Sequence, residues 1–296
     1  MTKLIEADMH IHTTASDGEY SSLEIYQKIK DTKQIKTFAI TDHDTVKGAK
    51  ELQEHLQNNP DKNITFIPGM EASASIARPQ FKAQKSRLHI LCYDFDLNHP
   101  LIEKLTTKRK QIDIQSIERQ LHILDTEENI SFDNKEIEAI YEKNNFGRVD
   151  IAKLLMKYRI VKNVDEAFDK YLVETHEKVR DTLPKIHEEE VFHAIKQAGG
   201  YISLAHPTSL RLDLEILKEY IEYLKSIGLD AIEVYHSHQK RKYSHKLLKI
   251  AQELELYVSG GSDYHGPTVK PKVHIGVNQG KSPQKVLTLK DHIIKK

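Results

Sequence analysis

Two histidines set two residues apart, His10-Ile11-His12, open the chemistry of this 296-residue chain. In an extended segment such residues share a face, so both imidazoles can reach one metal ion while Ile11 turns to the other side. Taken alone, such a pair is a weak signal. Similar groups recur along the chain: Asp17 in SDG, Asp42, His43 and Asp44 in TDHDT, Glu71 in PGMEAS, His89 in RLHILCY, His206 before Pro207, His236 in VYHSH, and Asp263 and His265 in GSDYH. Imidazole and carboxylate together suit zinc, manganese or iron. Each also has a plainer reading. Ser16-Asp17-Gly18 reads equally as a turn. Asp44 or Thr45 can cap a helix, His89 can be a hydrogen-bonded core residue, and Glu71 can be a surface glutamate. The three ionisable groups of TDHDT at the mouth of an apolar strand are costly to desolvate without a cation or mutual pairing.

The elements that must position these groups are legible as alternation. Strand-like runs fall at Leu4–Met9, Thr37–Thr41, Ile64–Ile67, Leu88–Tyr93, Gly200–Ala205, Ala231–Tyr235 and Leu256–Ser259. Helical periodicity fills Ser21–Lys30, Thr45–Gln57, Glu188–Gln197, Leu214–Ile227 and Gln239–Leu254, with glycines stopping the third and fourth. This strand–helix alternation predicts parallel strands joined by crossover helices. In such folds the ligand site gathers at the carboxyl ends of the strands, and every one of the seven runs carries a histidine or carboxylate at or next to that rim. The stretch from Asp94 to Ala198 is too long for a crossover loop and reads as a helical insertion.

Composition bounds the rest. Lysine plus arginine is 44 and aspartate plus glutamate is 44, so the formal charge is zero, which argues against a general binder of duplex DNA. The basic stretches at Lys104–Lys110 and beyond Lys270 read as solvated faces. Cys92 is the sole cysteine, which rules out an internal disulfide and a multi-cysteine zinc site. With no signal-peptide pattern and no apolar run long enough for a membrane span, the expected setting is cytoplasmic, away from membranes. Histidine is the unusual count, at 17.

The ordered set His10-x-His12, Asp17, TDHDT with His43, Glu71, His89, His206-Pro207 and Gly261-Ser-Asp263-Tyr-His265-Gly resembles the polymerase-and-histidinol-phosphatase (PHP) phosphoesterase superfamily over nearly the whole chain. The resemblance implies an α/β fold: a distorted (β/α)7 barrel formed by residues 1–96 and 184–296, with a helical insertion or cap at 97–183 between strands 4 and 5. It further implies two or three divalent ions, manganese first, with zinc or iron as alternatives. By that resemblance His10, His12, Glu71 and Asp263 bind the first ion. Glu71 bridges to a second, also held by His89 and His206. Asp17, His43 and His265 hold the third.

The insertion phrases FGRVDIAKLLMKY and DEAFDKYL, with AGGYISLAHP after them, are similar to one branch of that superfamily. That branch removes the 3′-phosphate from nucleoside 3′,5′-bisphosphates or acts as a 5′→3′ exoribonuclease on short RNA. Ser22 replaces a proline frequent in the branch, and His238 is one place early for the histidine expected there. The expected reaction is attack on phosphorus by hydroxide made from a metal-acidified water, with no serine or cysteine nucleophile. Arg148, after Gly147, is the candidate substrate-binding cation. His236 is the candidate for substrate binding and for proton donation. Two alternatives stand beside this reading: a histidinol-phosphate phosphatase, and a non-catalytic metal-binding PHP module. The expected partner is a small phosphorylated nucleotide or short RNA. Oligomeric state is not readable.

Overall fold

The computed structural model describes residues 7–81, 88–143, 146–276 and 288–294. The chain packs as two compact units, Met1–Leu105 with Ile186–Lys296, and Thr106–Lys185. Among the described residues, no helix is long and apolar enough to cross a membrane.

In chain order the first unit carries β1 (Ala7–Asp8), α1 (Ser22–Thr32), β2 (Thr37–Ile40), α2 (Lys47–Asn58), β3 (Thr65–Ala74) and β4 (Leu88–Tyr93). Helices of the second unit follow, and the first unit then resumes. Numbered through the whole chain, α3 (Pro100–Glu128), α4 (Asn134–Tyr141), α5 (Arg148–Lys157), α6 (Val164–Ala167) and α7 (Val173–Arg180) precede α8 (Glu188–Gln197). After α8 come β5 (Tyr201–Leu204), α9 (Leu214–Ser226), β6 (Ala231–His236), α10 (Arg241–Glu253), β7 (Tyr257–Gly261) and α11 (Leu289–Ile294). The expected first strand began at Leu4, and its first three residues lie outside the described ones.

The strands form one sheet in sequence order, β1 to β7. It curls into a nearly closed barrel. The segment after β1 pairs with the segment after β7: Met9 N–H donates to Gly260 O at 3.2 Å, Asp263 N–H to His10 O at 2.8 Å, and His12 N–H to Tyr264 O at 2.9 Å. Closure needs a residue without a side chain at Gly261, where a Cβ would stand 2.1 Å from that of His10.

Three expectations are corrected. The strands are not all parallel: β4 runs antiparallel to both β3 and β5. In addition, β3 does not stop at Ile67 but continues to Ala74, across a proline that ordinarily ends a strand. Residues Thr65 to Pro68 pair in parallel with β2, and Gly69 to Ala74 pair antiparallel with β4. The change of partner falls at Pro68, which lacks an N–H but still accepts from Asp94 N–H at 2.9 Å. Helix α2 also starts two residues later than expected. Its N-cap position is Val46, with no side-chain cap, and Thr45 Oγ1 instead accepts from Lys47 N–H at 3.2 Å.

Alternation along the strands sorts the core into two faces. Phe38 and Ile40 join Ile11, Ile25, Ile29 and Leu52 under α1 and α2. Ala39 faces the other way, with Met9, Ile67, Leu91, Tyr93, Ala205 and Ala231, and this is the inside of the barrel. Leu289 and Ile293 of α11 pack into the same cluster. The second unit has its own core, built on Ile117, Leu121, Leu124, Ile151, Leu155 and Leu172.

Tyr93 is fully buried in the barrel, and its hydroxyl donates to Met9 O at 2.8 Å. Tyr93→Phe leaves that carbonyl unsatisfied and should cost about 1–3 kcal/mol of stability in urea unfolding. An unchanged midpoint would mean the bond contributes nothing to closure.

Candidate metal centre

Glu71 is the centre of the site. It sits in the extension of β3 and is 1% exposed. The TDHDT segment runs beside that extension: Asp44 N–H donates to Glu71 O at 2.9 Å, and Glu71 N–H to Asp42 O at 3.1 Å. This places His43 Nδ1 at 3.3 Å from Glu71 Oε2. His10 Nε2 and His12 Nε2 each lie 3.1 Å from the same oxygen. The other oxygen, Oε1, meets His89 Nδ1 at 3.0 Å and His206 Nε2 at 2.8 Å. His89 reaches it because β4 is reversed, which brings the strand's amino end to a rim otherwise made of carboxyl ends.

Asp263 completes one side, with Oδ1 at 3.6 Å from His10 Nε2 and 3.4 Å from His12 Nε2. Asp17 completes the other. Its Oδ1 lies 3.2 Å from His265 Nε2 and 3.4 Å from His12 Nδ1, and its Oδ2 lies 3.9 Å from His43 Nε2. Donor atoms within 4.8 Å of one another define the groups His10–His12–Glu71–Asp263, His12–Asp17–His43–His265 and His43–Glu71–His89. A fourth such group joins His10, Glu233 and His236.

The donor set fits cations. A carboxylate only accepts, so His10 Nδ1 must donate its proton to Glu233 Oε1, 2.9 Å away. In neutral His10 the Nε2 lone pair then faces Glu71 Oε2 and, at 3.1 Å, His12 Nε2. His265 is fixed in the same way, since its Nδ1 donates to Asp263 O at 3.0 Å and its Nε2 is left toward Asp17. His43 Nδ1 is buried without a hydrogen bond. Lone pairs aimed at lone pairs need either protons or metal ions between them.

The charges say the same. Burial alone would lower His10, but Glu71, Glu233 and Asp263 outweigh it and push the imidazole up to about 10. Burial likewise works against His12, which Asp17, Asp263 and Glu71 hold well above its ordinary value. Burial opposes ionisation of Glu71, yet His10, His43 and His89 keep it well below the usual carboxylate range. His43 goes the other way, to about 3, through burial and the neighbouring His12 and His89.

Glu233, Asp8 and Lys270 were invisible as site members in the sequence. Glu233 is fully buried in β6 and holds both His10 and, through Oε2 at 2.6 Å, the backbone N–H of His206. Its signal was a lone charge inside the apolar run AIEVY. Asp8, also fully buried, accepts from Ser262 N–H and Gly276 N–H, both at 2.8 Å. Asp42 supports the loop rather than joining the cluster, accepting from Thr13 N–H at 2.7 Å and Ser16 Oγ at 2.6 Å. Lys270 lies with Nζ 2.6 Å from Asp263 Oδ2.

Two further site residues were expected besides the nine expected metal ligands. His236 is buried at the end of β6; its Nδ1 accepts from His238 N–H at 3.2 Å, so its Nε2 donates to Asp263 Oδ2 at 3.1 Å. Arg148 belongs to the second unit, where it opens α5 with its guanidinium 5.2 Å from the Phe168 ring. Cys92 is a buried free thiol whose ionisation is opposed first by burial and then by Asp44 and Glu71.

No model of a known protein family matches the chain. Two characterised proteins are similar along most of it. The 5′-3′ exoribonuclease Rnm of Escherichia coli K12 is 26% identical over 273 residues, 91% of this chain and 87% of the relative. The 3′,5′-nucleoside bisphosphate phosphatase of Chromobacterium violaceum is 26% identical over 269 residues, 88% of this chain and 87% of the relative. A solved structure of a provisionally assigned metal-dependent phosphoesterase from Bifidobacterium adolescentis shares the fold, with a TM-score of 0.67, 24% identity and coverage of 98% of this chain and 94% of that one. In sequence, along about nine-tenths of its length, the chain is similar to a 5′-3′ exoribonuclease and a nucleoside bisphosphate phosphatase, and in fold to that metal-dependent phosphoesterase.

Proposed function

We propose that this protein is a metal-dependent phosphoesterase. Its substrates are phosphate monoesters of small nucleotides, such as nucleoside 3′,5′-bisphosphates, or the 5′ ends of short RNA. The observation that carries the reading is the buried Glu71 carboxylate, whose two oxygens face two separate sets of imidazoles. A carboxylate shared in this way is suited to bridge two cations. The similarity to an exoribonuclease and a nucleoside bisphosphate phosphatase supports the substrate class. The buried free thiol of Cys92 fits a reducing, cytoplasmic setting.

His10, His12, Glu71 and Asp263 would hold one ion, Glu71, His89 and His206 a second, and Asp17, His43 and His265 a third. Manganese is the first choice. When bound, divalent ions supply Lewis acidity, which lowers the pKa of water and offsets phosphate charge. The protein's own groups do the positioning. Glu233 fixes the His10 tautomer, Asp263 O fixes that of His265, and His236 steadies Asp263 through a hydrogen bond. His236 stays a candidate to donate to a phosphate or leaving oxygen, with the Nε2 proton that it otherwise gives to Asp263. Arg148 stays a candidate substrate residue on its chemistry, a planar fork that matches phosphate.

Manganese-loaded protein should release phosphate from adenosine 3′,5′-bisphosphate or shorten a 5′-phosphorylated oligoribonucleotide, and a chelator should abolish both activities. Turnover of histidinol phosphate alone would favour the alternative phosphatase reading. No turnover of any of the three would leave a non-catalytic metal-binding module.

Glu233→Gln keeps the shape but weakens the hold on His10, and should lower manganese affinity by about 10- to 100-fold. Unchanged affinity in a calorimetric titration would remove Glu233 from the centre.

Metal uptake should also release protons. The surrounding acids push His10 up to about 10 and His12 well above its ordinary value, which favours proton binding by this pair in the metal-free protein, whereas a metal ligand must be neutral. Affinity should therefore rise with pH, roughly tenfold per unit for each proton displaced. Titrations in buffers of different ionisation heat count those protons, and a count of zero would contradict the assigned ligands.

A further inference from the structure

Asp263 divides its two oxygens between different surroundings. Oδ1 faces His10, His12 and, at 3.4 Å, His265 Nδ1. Oδ2 faces His236 Nε2 at 3.1 Å and Lys270 Nζ at 2.6 Å. We infer that Lys270 is a substrate-binding residue of this centre, whose ammonium takes a non-bridging oxygen of the phosphate held beside Asp263. The inference rests on the phosphoesterase reading and adds a residue to it.

Three observations carry it. The first is capacity. An ammonium has three N–H donors, and the bond to Asp263 uses one. The Lys270 side chain is 27% exposed against 9% for Asp263, so it stands at the open edge of the cluster, where a solute can meet it.

The second is placement. Lys270 lies seven residues beyond Asp263 on a pinned turn. Gly266 takes φ 103°, a left-handed value suited to glycine, and its carbonyl accepts from Lys270 N–H at 2.9 Å. Thr268 N–H and Oγ1 both donate to the Glu19 carboxylate at 3.0 Å, and Val273 N–H closes onto Lys270 O at 3.0 Å. The backbone under the ammonium is therefore built in advance, which lowers the entropic cost of using it on a ligand.

The third is energetic. Asp263 is buried, so the cost of desolvating it offsets much of its attraction to Lys270. Asp263 is also the carboxylate assigned to a cation. Once a divalent ion shares its charge, the attraction between Asp263 and Lys270 weakens and the ammonium becomes available to an incoming dianion. Lysine serves phosphate as a compact point charge and needs no forked geometry.

The test is Lys270→Met in the manganese-loaded full chain, with Lys270→Arg beside it. Three quantities are read: bound metal per chain, the Kd of inorganic phosphate by calorimetry, and kcat and KM separately. The expected result is unchanged metal content, with phosphate Kd and KM both raised roughly tenfold and partly restored by arginine. Phosphate Kd and KM within about twofold of the parent overturn the assignment. So does a loss of metal that accounts for the whole defect, because Lys270 would then only be steadying Asp263. Phosphate binding does not require turnover. A parent protein that binds phosphate through Lys270 yet hydrolyses nothing keeps this inference and sinks the phosphoesterase reading. Normal parent turnover with an indifferent Lys270→Met does the reverse.

Discussion

A carboxylate that is 1% exposed among five imidazoles is the constraint from which the rest of this structure follows. Burying Glu71 as an anion is expensive unless each lone pair is met. The five imidazoles come from the segment after β1, the loop after β2, the start of β4 and the end of β5. None of them is a sequence neighbour of Glu71. A closed or nearly closed barrel is what brings such distant segments onto one carboxylate. Its closure at Gly261, the passage of β3 across Pro68 and the reversal of β4 each contribute one part of that ring.

Around the ring stands a second set of buried acids with a different task. Asp8 gathers the backbone N–H groups of Ser262 and Gly276, Asp42 gathers Thr13 and Ser16, and Glu233 gathers His10 and His206. Burial pushes the carboxyls of Asp8 and Asp42 up despite these bonds. Glu233 is opposed by burial too, but the neighbouring His10 and His236 bring it below the usual carboxylate range. The backbone is also held in sparsely populated conformations at two positions of the cluster, with φ 24° at His206 and φ 58° at Asp263. Non-glycine residues keep such values only where the surroundings over-determine them. Here those surroundings are the hydrogen bond from His206 N–H to Glu233 and the one from Asp263 N–H to His10 O.

The similar proteins are named for different phosphoester chemistries, so on the proposed reading the choice of substrate would fall to groups beside the cluster rather than in it. Lys270 and His236 both donate to the outer oxygen of Asp263, which gathers hydrogen-bond donors at that edge although the whole chain carries no net charge. On the proposed reading, a phosphate would be met by such local donors and by the ions the cluster would hold, rather than by the field of the protein as a whole.

The residue types that do the chemistry were legible in the sequence, as were the number of strands and the α/β class. Histidine and carboxylate at strand ends declare themselves against an apolar run, and His10-x-His12 and Asp263-x-His265 need only period two to share a face. What could not be read was the direction of β4 and the length of β3. Both depend on which neighbour a strand finds, and no local propensity encodes that. His89 therefore looked like a mid-strand residue until the reversal of β4 put it at the rim. Glu233, Asp8 and Lys270 were hidden for a related reason. Each acts through a partner tens or hundreds of residues away or across a turn, and only tertiary packing fixes which carboxylate or backbone group a lone charge will meet. The sequence by itself determined which atoms could hold a cation; the closed sheet decided which of them face one another.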